Sequence, residues 1–254
     1  MRPARSCESA PGTPGGSLTP RLNSQRIIVA IDVDSARGAC ALARRLRGHV
    51  GMVKVGNQLF TAEGPSVVRS LARMGFGIFL DLKFHDIPNT VSHGIASACR
   101  LPGVRLLTLH TLGATEMMLA ARRAADEAKH PPKLLGVTLL TSHDEASIRQ
   151  VGIKGPVSAR AVKLAKLAKE ARLDGVVSSA REVRAIRRAV GPKMLIVVPG
   201  IRPADSASDD QARIATPREA IRAGADYLVI GRPITAAKDP REAVARIAAE
   251  IADS

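Results

Sequence analysis

The chain has no tryptophan, one tyrosine and four phenylalanines in 254 residues. So few rings cannot build the stacking platform on which nucleic-acid bases are held. That shortage matters because a formal net charge of +15 otherwise invites a polyanionic partner. The basic residues are also dispersed instead of clustered. Arg160, Lys163, Lys166 and Lys169 recur every three residues along one helical pattern, which is a solvated stripe. No nucleic-acid partner is therefore expected, although a basic, non-catalytic nucleic-acid-binding protein is the rival from another class. A field of this sign also favours capture of a phosphorylated metabolite.

Cysteine is scarce as well. Cys7, Cys40 and Cys99 are odd in number and far apart, with no C-x-x-C and no histidine at ligand spacing. This points to a reducing, cytoplasmic setting and away from a structural zinc. No apolar run approaches the roughly 18 residues of a membrane helix. Residues 1–24 are rich in Pro, Gly and Ser and lack apolar periodicity, so a disordered N-terminal tail is expected there. The tail has no hydrophobic segment of the secretory type; a transit peptide and a mis-assigned start both stay open.

Beyond the tail, short β-branched runs alternate with helical patterns. Strands are expected at Ile27–Ile31, Met52–Val55, Gly77–Leu80, Val104–Leu109, Leu134–Leu139, Gly175–Val177, Met194–Val198 and Tyr227–Ile230. Helices are expected at Ser35–Leu46, Pro65–Met74, Val91–Cys99, Glu116–Lys129, Val157–Ala171, Ala180–Ala189, Thr216–Ala223 and Pro240–Ile251. Eight strand-then-helix units, with nearly continuous apolar strands, predict a single-domain (β/α)8 TIM barrel over residues 25–254. A doubly wound open sheet is the competing architecture; the eightfold count favours closure.

Polar residues recur just past the expected strand ends, where a barrel places its active site. Asp32 follows the first strand, Lys54 sits in the second, and Asp81 and Lys83 end the third. His110 ends the fourth; Thr141 and Ser142 follow the fifth, and Ser178 and Ser179 the sixth. Pro199-Gly200-Ile201-Arg202 follow the seventh and Gly231-Arg232 the eighth. The last two loops combine glycine with arginine, the chemistry of an anion site, and phosphate sites in barrels commonly lie there. A plain strand cap at Gly231 with a solvated Arg232 is the alternative. Residues 203–211 between these loops read equally as a mobile lid or a loose loop.

The most informative stretch is Phe79-Leu80-Asp81-Leu82-Lys83-Phe84-His85-Asp86-Ile87-Pro88-Asn89-Thr90. Alternation along an extended chain turns Asp81 and Lys83 to one face and Leu82 to the other. A carboxylate and an ammonium at the end of a buried strand are costly unless paired or used in chemistry. A strand-end ion pair and an active site are both compatible with this stretch alone.

Asp81-x-Lys83-x-x-Asp86, followed by Ile87-Pro88-Asn89-Thr90, resembles the orotidine 5′-phosphate decarboxylase family. Asp32, Lys54, Leu140-Thr141-Ser142, Pro199-Gly200-Ile201-Arg202, Asp210-Gln211 and Gly231-Arg232-Pro233-Ile234 complete the pattern from about Arg26 onward. The D-x-K-x-x-D element alone is shared by metal-dependent sugar-phosphate decarboxylases and synthases, the closest rival. Thr141-Ser142 and Asp210-Gln211 fit a pyrimidine nucleotide better. The resemblance implies decarboxylation of orotidine 5′-phosphate to uridine 5′-phosphate, without cofactor or metal. It implies that Asp32 and Lys54 hold the ribose hydroxyls. Lys54, Asp81, Lys83 and Asp86 would form an alternating charge network, with Asp86 and Thr90 reaching the neighbouring subunit's site in a homodimer. Thr141 and Ser142 would meet the pyrimidine edge. Arg202, Gln211, Gly231 and Arg232 would surround the 5′-phosphate, Gln211 bridging to the base, and Pro199 would be a further substrate-binding residue. Asp86 reads equally as an N-cap of the helix opened by Pro88, and His110 as a packed, hydrogen-bonded histidine.

Overall fold

The computed structural model describes residues 23–203 and 215–252. Gln211, Asp210, Cys7 and nearly all of the expected tail lie outside the described residues. Within them, β1 (Ile27–Ala30), β2 (Met52–Gly56), β3 (Gly77–Phe84), β4 (Val104–His110), β5 (Lys133–Val137), β6 (Gly175–Val177), β7 (Leu195–Pro199) and β8 (Tyr227–Ile230) close a barrel in sequence order. β1 pairs in parallel with both β2 and β8, which leaves no free sheet edge. The chain thus forms the single-domain (β/α)8 barrel that the alternation predicts.

The helices are α1 (Ala36–Leu46), α2 (Asn57–Glu63), α3 (Pro65–Arg73), α4 (Pro88–Cys99), α5 (Ala114–Asp126), α6 (Glu145–Gln150), α7 (Val157–Glu170), α8 (Val183–Val190), α9 (Pro217–Ala223), α10 (Arg232–Thr235) and α11 (Pro240–Ala252). Their starts follow local chemistry. Ser35 caps α1 by accepting from the Gly38 N–H, and Thr216 with Glu219 forms a reciprocal capping box on α9. α4 begins at Pro88, three residues before the periodicity suggested, because proline is preorganised for the first helical position. α2, α6 and α10 are too short for a periodic signal and have no counterpart in the sequence expectation.

Strand parity divides the core into two layers. Ile28, Ala30, Phe79, Leu106, Val137, Val177, Val197 and Val229 fill the barrel interior as one buried cluster. Their neighbours Ile27, Val29, Ile78, Leu80, Leu107, Ile196 and Ile230 face outward and pack under the helices. Both parities are apolar, which is why these strands read as unbroken runs.

The end of the barrel away from the site uses its charges to bind backbone. Asp174 accepts from the Leu134 N–H at 2.8 Å and pairs with Arg122 at 2.8 Å. Asp226 accepts from the Ile196 N–H at 2.7 Å and pairs with Arg187 at 2.6 Å. Each aspartate joins the start of a neighbouring strand to a helix, a structural role.

A candidate active site at the barrel mouth

Inward parity, continued toward the strand C-termini, produces the site. One step beyond Ala30 stands Asp32; beyond Met52, Lys54 and then Gly56; beyond Phe79, Asp81; beyond Leu106, Thr108 and His110; beyond Val197, Pro199; beyond Val229, Gly231. The interior is therefore apolar at depth and polar at the mouth for one geometric reason.

The charges there alternate. The Lys54 ammonium lies 3.0 Å from Asp32 and 3.8 Å from Asp81, and Lys83 Nζ donates to Asp81 Oδ2 at 2.9 Å. Asp81 is only 8% exposed. An isolated carboxylate so placed would be strongly unfavourable; two ammonium groups and a hydroxyl offset that cost. Thr108, fully buried, donates its hydroxyl hydrogen to Asp81 Oδ1 at 3.0 Å.

β3 is not a regular strand here. Leu80 pairs with Leu107 and Phe84 with Leu109, so three β3 residues stand opposite Thr108 alone. Lys83 adopts φ 51°, the left-handed region, which costs a non-glycine residue about 1–2 kcal/mol. Asp81 and Lys83 do share a face, but through a bulge and not through simple alternation. Leu82 turns outward and packs on the outer core.

A cavity of about 300 Å³ adjoins this chain of charges. Lys54, Asp81 and Lys83 form one wall; Phe79, Val137, Val177 and Val229 make an apolar floor; Thr141, Ser142 and Ser178 supply a polar rim, with Pro199 beside them. Such a slot suits a flat ring held by apolar contact with a charged substituent directed at the lysines. Larger clefts exist, of about 470 Å³ beside α9 and α11 and about 1220 Å³ at the opposite end of the barrel. Neither contains the lysine–aspartate chain.

The remaining residues singled out in the sequence fall outside the cavity wall. Asp32 joins through Lys54 and is half-exposed. Arg202 lies in the β7 loop, its backbone N–H bonded to the Ala215 carbonyl at 3.3 Å, and Gly231 with exposed Arg232 opens α10 after β8. Because Pro199 pairs with Val229, these two loops leave adjacent strands. Asp86 and Thr90 are exposed. Asp86 does not cap α4: Ile87 holds the N-cap position, and among the described residues the Asp86 carboxylate accepts from the Ile87 N–H. Within this chain Asp86 does not join the charge network.

His110 stacks at a tilt on His85, ring centroids 5.3 Å apart. Burial, then the neighbouring His85 and Lys83, hold its pKa below the usual imidazole value. A neutral ring here adds no third cation beside Lys83. Its Nδ1 is buried and has no hydrogen-bond partner among the described residues. Thr108 and Gly56 were not singled out in the sequence. A lone hydroxyl at the inward parity of an apolar strand was the available signal for Thr108. Nothing local marks Gly56.

Gly56 keeps negative φ and extended ψ, so its conformation does not require glycine. Space does: a Cβ would stand 2.8 Å from Lys54 Nζ and 3.6 Å from Asp32 Oδ1. Since only the tip of a flexible side chain must move, Gly56→Ala should hold its melting temperature within about 4 °C, the shift of roughly 1 kcal/mol at this size. By displacing Lys54 it should lower kcat/KM by roughly tenfold or more. A folded variant with wild-type kcat/KM would show that the Lys54 position is not critical.

Among the described residues no cluster of three or more His, Cys, Asp and Glu side chains is arranged to hold a metal ion, and no helix is long and apolar enough to cross a membrane. Cys40 and Cys99 are free thiols, Cys99 with its pKa raised by burial.

Comparison with known proteins supplies an independent line. Residues 25–247 match the family described as Orotidine 5′-phosphate decarboxylase / HUMPS. The chain is 52% identical over 233 residues to the orotidine 5′-phosphate decarboxylase of Syntrophotalea carbinolica, covering 90% of this chain and 95% of that one. It is 49% identical over 234 residues to the enzyme of that name from Nitrosococcus oceani, covering 91% of this chain and all of the relative. The crystal structure of orotidine 5′-phosphate decarboxylase from Lactobacillus acidophilus superposes with a TM-score of 0.80 at 38% identity, over 89% of this chain and 99% of that one.

Proposed function

Because the chain belongs to the Orotidine 5′-phosphate decarboxylase / HUMPS family, we propose that it releases CO2 from orotidine 5′-phosphate to give uridine 5′-phosphate, with Lys83 as proton donor. Family membership makes it a decarboxylase of pyrimidine nucleotide biosynthesis. The observation that carries the residue-level reading is the unbroken series Asp32–Lys54–Asp81–Lys83 at the barrel mouth, of which Lys54, Asp81 and Lys83 form one wall of the cavity.

Heterolysis of the bond between C6 and the carboxylate releases CO2 and leaves an electron pair in the plane of the pyrimidine ring. The ring π-system delocalises that pair poorly. Lys83, anchored by Asp81 at 2.9 Å, brings a cation to the carbon where charge develops, and its N–H then protonates C6. Solvent returns the proton to the amine, so the net reaction consumes one proton. Asp81 orients the ammonium; Lys54, on the cavity wall, and Asp32, paired to it from outside that wall, hold the ribose hydroxyls. Thr141 and Ser142 lie on the rim where the pyrimidine edge would meet them. Arg202, Gly231 and Arg232, with Gln211, take the 5′-phosphate, and Pro199 lines the cavity beside the ring.

The family pattern places Asp86 and Thr90 in a second subunit's site. Asp86 and Thr90 are exposed in this chain and so accessible to a second copy, and a homodimer with shared active sites is part of the reading. The reading includes a cytoplasmic location, no nucleic-acid or membrane partner, and no cofactor or metal. Its test is incubation of the protein with orotidine 5′-phosphate in a chelator while orotate absorbance is followed. Absorbance should fall at the same rate with and without chelator. No turnover would remove the activity, and chelator-sensitive turnover would point to the metal-dependent sugar-phosphate branch.

A further inference from the structure

We propose that Thr108 is a positioning residue of this site, one hydroxyl that fixes both the carboxylate and the backbone on which Lys83 depends. The proposal rests on the decarboxylase reading above. Thr108 is fully buried in β4, opposite the β3 bulge. Its Oγ1 accepts from the Lys83 backbone N–H at 2.9 Å and donates to Asp81 Oδ1 at 3.0 Å. Both bonds use the same oxygen, so the hydroxyl hydrogen has one orientation and Thr108 one rotamer.

The bulge explains why such a group is needed. The Gly77 N–H bonds the Gly51 carbonyl on the β2 side and the Ile78 N–H the Gly103 carbonyl on the β4 side, so a regular continuation would turn the Lys83 N–H toward β2, whose pairing ends at Gly56 opposite Asp81. Here Asp81, Leu82 and Lys83 all stand opposite Thr108, and Lys83 sits in the left-handed region at φ 51°. A strained conformation of this kind persists only where its surroundings hold it. The hydroxyl does so, and directs Asp81 Oδ1 inward while Oδ2 faces Lys83 at 2.9 Å and Lys54 at 3.8 Å. Each carboxylate oxygen has its own partners, and the ammonium is fixed at both ends: at Nζ by Asp81, and at the backbone by Thr108. The hydroxyl reaches no substrate atom, being closed off behind Asp81.

Thr108→Val keeps the shape and removes both bonds, whereas Thr108→Ser keeps both and removes a methyl group. Thr108→Val should lose roughly 10- to 100-fold in kcat, the scale of a misplacement near 1 Å. KM and the affinity for uridine 5′-phosphate should stay within about threefold, because the ribose and phosphate contacts lie on other strands. Thr108→Ser should keep kcat within about threefold of wild type. If the valine variant does not fold, Thr108→Cys, of similar volume and only a weak donor, takes its place and must show the same selective loss of kcat. A loss of thermal stability with wild-type kcat per folded molecule, or a serine variant as impaired as valine, would overturn the proposal. Wild-type enzyme without turnover would instead defeat the decarboxylase reading, so the two failures are distinguishable.

Discussion

Lys83→Ala should give a folded protein that binds uridine 5′-phosphate and releases almost no CO2. A general acid contributes about 10²- to 10⁴-fold and a preorganised charge about 10²- to 10³-fold, so removing one ammonium that serves as both should lower kcat by at least roughly 10³-fold. The fold should survive because the side chain stands at the mouth, 29% exposed, and no core contact depends on it. Asp81 would keep Lys54 at 3.8 Å and its hydrogen bond from Thr108. Alanine gains nothing at φ 51°, whereas glycine is at ease there. Lys83→Gly should therefore be about 1 kcal/mol more stable than Lys83→Ala and equally inactive. Activity of either variant within tenfold of wild type would refute Lys83 as the proton donor.

Removing the 5′-phosphate from the substrate should lower kcat as well as raise KM. The phosphate is remote from the bond that breaks, so its binding energy accelerates the reaction only if it is expressed in the transition state. With one or two arginines making charge-assisted bonds of about 1.5–3 kcal/mol each, the expected loss in kcat/KM is roughly 10- to 10⁴-fold. Arg232→Ala should reproduce part of this, by about 10- to 10²-fold, on the phosphorylated substrate. On the substrate without phosphate the same substitution should change nothing further, because a variant and a truncated ligand that remove one contact are not additive. Equal effects of Arg232→Ala on both substrates would place Arg232 elsewhere; an unchanged kcat/KM on the phosphorylated substrate would remove it from the site.

Much of this site is legible along the chain, for a definable reason. Residues that end strands lie at the mouth of any closed barrel, so Asp32, Lys54, Asp81 and Lys83 can be assigned to one end by counting. The count fails where charge interrupts an apolar run. The apolar run of β3 stops at Leu80 in the sequence yet the strand continues through Phe84, because Asp81 and Lys83 turn into an ionic cluster while Leu82 and Phe84 pack on the outer core. Short helices fail differently. α6 announces itself only through its Asp144–Ser147 capping box, and α10 spans a single turn. Asp86 illustrates a third case: proline two residues later suggests a cap, but Pro88 itself occupies the first helical position and moves the cap to Ile87.

By itself the sequence determined the closed eight-stranded barrel and the end at which chemistry gathers, since hydropathic period and strand parity are properties of consecutive residues. Only the tertiary structure decided how β2, β3 and β4 register across that end. It set Lys54 between Asp32 and Asp81, made Gly56 the space that the ammonium needs, and enlisted Thr108 to hold a bulge 25 residues away in sequence. Those relations depend on distances between strands, which fall to 3 Å only when neighbouring strands pair in this register.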